Sequence, residues 1–118
     1  MTVNLNDAGF KHAKNLVEDR KATHDSRDDW SEHAPSADEE NDFLDRHGWE
    51  EYSKWFLGVN DEMDPDTKGR YEFPYGDFTK VHRCAVISGE SRAAQNDHDS
   101  IRDAFVTLLR RIDESTAG

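Results

Sequence analysis

The stretch GRYEFPYGDFTKVHRCAVISGESRAAQ, Gly69–Gln95, decides how the chain is read. It has few acids and joins an aromatic extended segment to an apolar helix. Tyr71, Phe73 and Tyr75 alternate with Arg70, Glu72 and Pro74. A period of two predicts a strand with the three rings on one face. Pro74 lacks an N–H for the ladder, so this strand belongs at an edge. Gly76-Asp77 reads as a turn, with Asp77 or Thr79 capping a following helix. In that helix Cys84, Ile87, Ser91 and Ala94 recur at spacings of three and four, a narrow stripe of mostly small residues suited to close packing. Gly89 weakens such a helix by roughly 1 kcal/mol relative to alanine, so tertiary contacts must support it.

The segment Lys68–Gln95, with its pattern KGRY-x-FPYGDF-x-KVHRC and a following Ser-Arg-Ala, resembles a signature of small bacterial proteins to which no reaction is assigned. DDWSEHAPS and EYSKWFLGV extend that similarity upstream. A shorter, alanine-rich likeness is to a phage head-morphogenesis module, with a Phe-Pro-Tyr strand end and an Arg-Ala helix. Neither resemblance implies a catalytic residue.

Working outward, the flanks supply helices. Asn6 or Asp7 caps a helix over 7–21 with Phe10, Ala13, Leu16 and Val17 on its apolar face. Ser36 and Glu39 form a capping box for a helix over 37–47, which Gly48 ends. Asp38, Glu39 and Glu40 complement its dipole. In WEEYSKWFLGV, Trp55, Leu57 and Val59 alternate with Lys54, Phe56 and Gly58, the pattern of a strand. It lies close in sequence to the Tyr71 strand, predicting an antiparallel pair as the one sheet, covered by helices. Ser100 and Asp103 suit a second capping box. Ile101, Ala104, Phe105, Leu108 and Ile112 then mark the core face of a helix over 100–114. Residues 1–6 and 115–118 read as loose ends. Residues 22–35 show no period, and Trp30 there is either a plug over the core or an exposed anchor for a partner. The expected fold class is α+β, a single domain over 1–118 with about four helices packed around a short antiparallel β-hairpin.

The 118 residues carry 26 acids against 15 lysines and arginines, a net charge of −11. Such a surface repels phosphate, which argues against general nucleic-acid or anionic-membrane binding. It fits solubility, adaptation to high salt, or a basic protein partner. Hydrophobic residues make only 34%, so the core is small, and three Trp, three Tyr and six Phe must fill much of it. One cysteine, Cys84, excludes an internal disulfide. With no leader-like start and no apolar run of membrane-spanning length, the expectation is a cytoplasmic protein.

Six histidines, at 12, 24, 33, 47, 82 and 98, raise the question of a metal, but none stand at i, i+3 or i+4, and no CxxC occurs. Asp61, Glu62, Asp64 and Asp66 lack the glycine turn and late glutamate of a calcium loop, and Pro65 interrupts them. Cys84 and His82 lack an orienting third group, and GESR is not a nucleophile elbow. No catalytic residue, metal or cofactor is therefore assigned. The reading favoured is a non-enzymatic binding or adaptor protein with a protein partner. The alternative is a small metal-dependent or anion-binding enzyme using His82 and its basic neighbours. Either would use a surface of Tyr71, Tyr75, Lys80, His82, Arg83 and Arg92.

Overall fold

The computed structural model describes residues 3–23, 30 and 34–116. Among them the order is β1 (Val3–Leu5), α1 (Asp7–Glu18), β2 (Ala22–Thr23), α2 (Ala37–Ser53), β3 (Phe56–Asn60), β4 (Tyr71–Pro74), β5 (Val81–His82), α3 (Arg83–Gln95) and α4 (Asp99–Thr116), with a 3-10 turn at Lys68–Arg70. The class is α+β, as the patterning implies. β3 and β4 pair antiparallel, Phe56 opposite Pro74 and Val59 opposite Tyr71. β4 is an edge strand that ends at its proline.

The hairpin is not the whole sheet. Val3–Leu5, expected as a loose end, pairs antiparallel with Gly58–Asn60 and makes the sheet three-stranded in the order β1-β3-β4. A second, parallel pair joins Ala22–Thr23 to Val81–His82, where no period marked a strand. Asn6 does not cap α1 with its side chain. Its amide instead donates to the carbonyls of Ser53 and Phe56, and its backbone N–H to Leu57, stitching the N-terminal strand to the start of β3.

Ser36 and Glu39 form both halves of the capping box. Gly48, at φ 83°, ends the regular helix as expected, but a further helical turn resumes after it through Ser53. The strand therefore begins later than the alternation in WEEYSKWFLGV suggested. Trp55, Phe56, Leu57 and Gly58 are all buried, so both faces of the chain are covered here.

The predicted rings do not share one face. Phe73 is in the left-handed region at φ 62°, which breaks the period of two. Tyr71 packs against Trp49, Tyr52 and Phe56, whereas Phe73 meets Phe105 and His98, and Tyr75 stacks on Trp55. α3 begins at Arg83, not after Asp77, because β5 intervenes. Its buried face is Ala85, Val86, Gly89 and Ala93 with Cys84, rather than the stripe through Ile87, Ser91 and Ala94.

α4 buries Ile101, Ala104, Phe105, Leu108 and Ile112, as its spacing requires. It starts at Asp99, so Ser100 lies within the first turn and not at the cap, and it runs on through Thr116, where a frayed tail was expected. Residues 24–29, 31–33 and 117–118 of the expected loop and tail lie outside the described residues, as do Met1 and Thr2.

α3 and α4 meet at one close approach. A Cβ on Gly89 would stand 2.3–2.7 Å from three ring atoms of Phe105. Gly89→Ala should therefore destabilise the protein by about 1–3 kcal/mol despite alanine's better helix propensity. Urea unfolding would show it as a lower midpoint at unchanged slope. The double variant with Phe105→Leu should recover part of the loss, and purely additive effects would mean that ring and glycine do not compete for the same space.

Candidate functional site

The six residues proposed from sequence do not form one exposed surface. Tyr75 is 0% exposed, and its hydroxyl donates to the Lys54 carbonyl at 2.6 Å. His82 is 4% exposed. Tyr71 is half-buried and donates to the Pro65 carbonyl. Arg83 forms an ion pair with Asp113 on α4 at 2.8 Å, while Arg92, exposed, lies over the Phe73 ring. The two arginines are nine residues apart on one helix, roughly 13 Å along its axis. Lys80 is half-buried in the turn before β5. The stretch thus combines two buried side chains with cations at opposite ends of a helix.

What the fold does assemble is a hub around Asp77. One carboxylate oxygen accepts from the Thr79 and Lys80 backbone N–H groups and from the Thr79 hydroxyl. This is the Asx arrangement that aspartate adopts in turns. The other oxygen lies 2.8 Å from His82 Nε2, and His82 Nδ1 lies 3.1 Å from Thr23 Oγ1. Which ring nitrogen donates follows from the imidazole tautomer, and the Thr23 hydroxyl also lies 3.4 Å from the Val81 carbonyl. Asp77, His82 and Thr23 so tie the turn to both strands of the parallel pair. Trp30 packs against His82, its ring 5.6 Å from the imidazole. Burial raises the Asp77 pKa, but the hydrogen bonds from His82, Thr79 and Lys80 outweigh it and bring the group down to about 2.

Beside the hub, an open cleft of about 260 Å³ runs between α2 and the turn. Its floor is the stacked pair Phe43 and Phe78, with ring centroids 4.5 Å apart and planes 16° from parallel. Phe78 itself is held in the left-handed region at φ 72°. Such conformations persist where the surroundings fix them, at a cost on the order of 1 kcal/mol or more. Here Phe78 also packs on Tyr52 and Trp55. Three carboxylates, of Glu39, Asp42 and Asp77, face one guanidinium, Arg46, and one imidazole, His47. Sequence reading passed over Phe43, Phe78 and Asp77 as functional groups. The available signal was Asp77-x-Thr79, an Asx-turn pattern read instead as a helix cap.

A second open cleft, about 250 Å³, carries the opposite charge. Lys11, His12 and Asn15 of α1 face Lys54, which is paired with Glu51. Burial of His12 against the Trp55 edge, together with the Lys54 ammonium, lowers its pKa. The basic character expected at 80–92 is thus matched on the first helix. Among the described residues no group of three or more His, Cys, Asp and Glu converges to hold a metal. His24 and His33 lie outside the described residues.

Comparison with protein-family models, with curated proteins and with solved structures found no match.

Asp77 gives a pH test of the hub. Its folded pKa of about 2 lies below the ordinary 3.8, so the fold prefers the ionised form. The stabilisation is complete above about pH 4 and is lost as the pH falls through the folded value. After allowance for solvent screening it amounts to about 1–2 kcal/mol. Asp77→Asn should lower stability by that amount at neutral pH and flatten the acid limb between about pH 4 and 2. Chemical denaturation at several pH values would check this, and parallel curves for the two proteins would refute it.

Proposed function

We propose that this is a non-enzymatic binding protein whose acidic cleft between α2 and the Asp77 turn receives a basic segment of a protein partner. The observation that carries the reading is the stacked Phe43–Phe78 pair in a cleft where the carboxylates of Glu39, Asp42 and Asp77 outnumber the Arg46 guanidinium, which pairs with Asp42 at 3.3 Å. A guanidinium stacks on aromatic faces and pairs with carboxylates, so such a cleft suits arginine in particular. The net charge of −11 steers a basic partner toward it.

The side chains best able to do acid–base or nucleophilic work face inward. Both ring nitrogens of His82 are engaged, by Asp77 and Thr23, and the ring is buried. Cys84 is 0% exposed. A general base or nucleophile must come within hydrogen-bond reach of its substrate, and neither group is offered to one. That arrangement supports recognition rather than turnover.

An arginine-rich peptide titrated into the labelled protein should give saturable amide shifts centred on Phe43, His47 and Phe78. Raising the salt to about 0.5 M should weaken binding strongly. Asp42→Lys, at a solvent-exposed position, should weaken it about tenfold while leaving the fold intact. A sequence-scrambled acidic peptide that shifts the same amides equally, or an affinity indifferent to Asp42→Lys, would remove the proposal.

A further inference from the structure

A second, more enclosed space shares Phe78 with the cleft and has a different lining. It is a cavity of about 60 Å³ bounded by Trp30, Trp55, Phe56 and Phe78, with Gly76 from the turn and Glu40 from α2. The geometry points to a binding site for a methylated ammonium group.

Four aromatic residues and one acid, Glu40, line this cavity together with Ala34, Pro35 and Pro74. Aromatic faces carry negative potential and attract cations, tryptophan most strongly. An unpaired carboxylate beside apolar walls is costly, so Glu40 needs a counter-charge. It has one from outside, the Lys68 ammonium at 3.2 Å, and Lys68 is not among the residues that bound the cavity. Ordinary ammonium and metal cations hold their water too strongly to enter such a space. A methylated ammonium sheds water readily and presents apolar methyl groups to the rings. The volume holds a group of a few heavy atoms and is too small for a large cofactor.

The Trp55 and Gly76 side of the cavity is set by packing. Trp55 is nearly fully buried, stacked on Tyr75, and its carbonyl accepts the Tyr75 backbone N–H. Gly76 lies so close that a Cβ there would stand 2.8 Å from the Trp55 ring. No side chain can project from the turn at that point. Trp30, half-buried against His82, lines the cavity together with Ala34, Pro35 and Pro74. The cavity and the peptide cleft share only Phe78, so this inference does not depend on the docking reading.

The same headgroup occurs on free quaternary ammonium solutes and on trimethylated lysine. The full chain should be titrated with tetramethylammonium chloride at constant ionic strength, following tryptophan fluorescence. A saturable change is expected. Choline should reproduce it, and its uncharged carbon analogue, 3,3-dimethyl-1-butanol, should bind at least about tenfold more weakly. Glu40→Gln and Trp30→Ala should each weaken binding about fivefold or more. Both positions lie outside the fully buried core, and circular dichroism would verify that each variant folds. A peptide bearing trimethyl-lysine that binds more tightly than choline assigns a protein-borne headgroup, and the reverse order assigns a free solute. Equal binding of the uncharged analogue, an unchanged affinity in Glu40→Gln, or a response no different from sodium chloride would overturn the inference.

Discussion

The fold depends on the absence of a side chain at Gly89. Because that position is bare, the Phe105 ring lies directly on α3, and α4 is seated against it along the row Ile101, Phe105, Leu108 and Ile112. Phe105 also meets Phe73, with ring centroids 6.2 Å apart, so the same ring connects the helix pair to the edge strand. A chain with 34% hydrophobic residues has few large side chains to distribute. Placing one ring at the junction of three elements lets a small core hold both helices and sheet.

The second organising feature is the turn from Pro74 to Lys80. It is short and involves two non-glycine residues at positive φ, Phe73 just before it and Phe78 within it. Those conformations send one ring toward α4 and the other toward α2. Between them Tyr75 is buried, with its hydroxyl on the Lys54 carbonyl, and Asp77 collects three hydrogen bonds within the turn. Backbone strain, ring packing and carboxylate hydrogen bonds therefore support one another. The Asp77 hub and the two spaces beside it share these few residues, whose geometry is held by packing and hydrogen bonds together.

What was legible in the sequence was what local interactions decide. The α4 stripe, the Ser36–Glu39 capping box, the Gly48 break and the pairing of β3 with β4 all follow from spacings of a few residues. What was not legible depends on distant partners. β1 is three residues long and is defined by Gly58–Asn60. β2 and β5 are two residues each, too short to show a period, and their paired residues lie 59 positions apart. The buried face of α3 escaped because its key residues are alanine and glycine, which carry little hydrophobic signal, while Cys84 and Ile87 drew the stripe to the wrong side. The candidate surface failed as a surface for a related reason. Aromatic and basic residues adjacent in sequence were assumed to share exposure, but Tyr75 and His82 satisfy their polar atoms internally and turn inward.

The charge distribution follows from the same packing. Several cations link elements rather than face solvent alone: Lys68 reaches Glu40, Arg83 reaches Asp113, and Arg111 reaches Glu18. Each such pair is individually weak where exposed. Their collective effect is to draw positive charge into the seams between elements and leave the excess of acids outward. An outward acidic field lowers the work of bringing any cation to the surface, but it does not choose among cations. The choice has to come from geometry at short range. Phe43, Phe78, Trp55 and Trp30 stand near Glu39, Asp42 and Glu40, and a flat guanidinium and a methylated headgroup differ in shape where net charge alone would treat them alike.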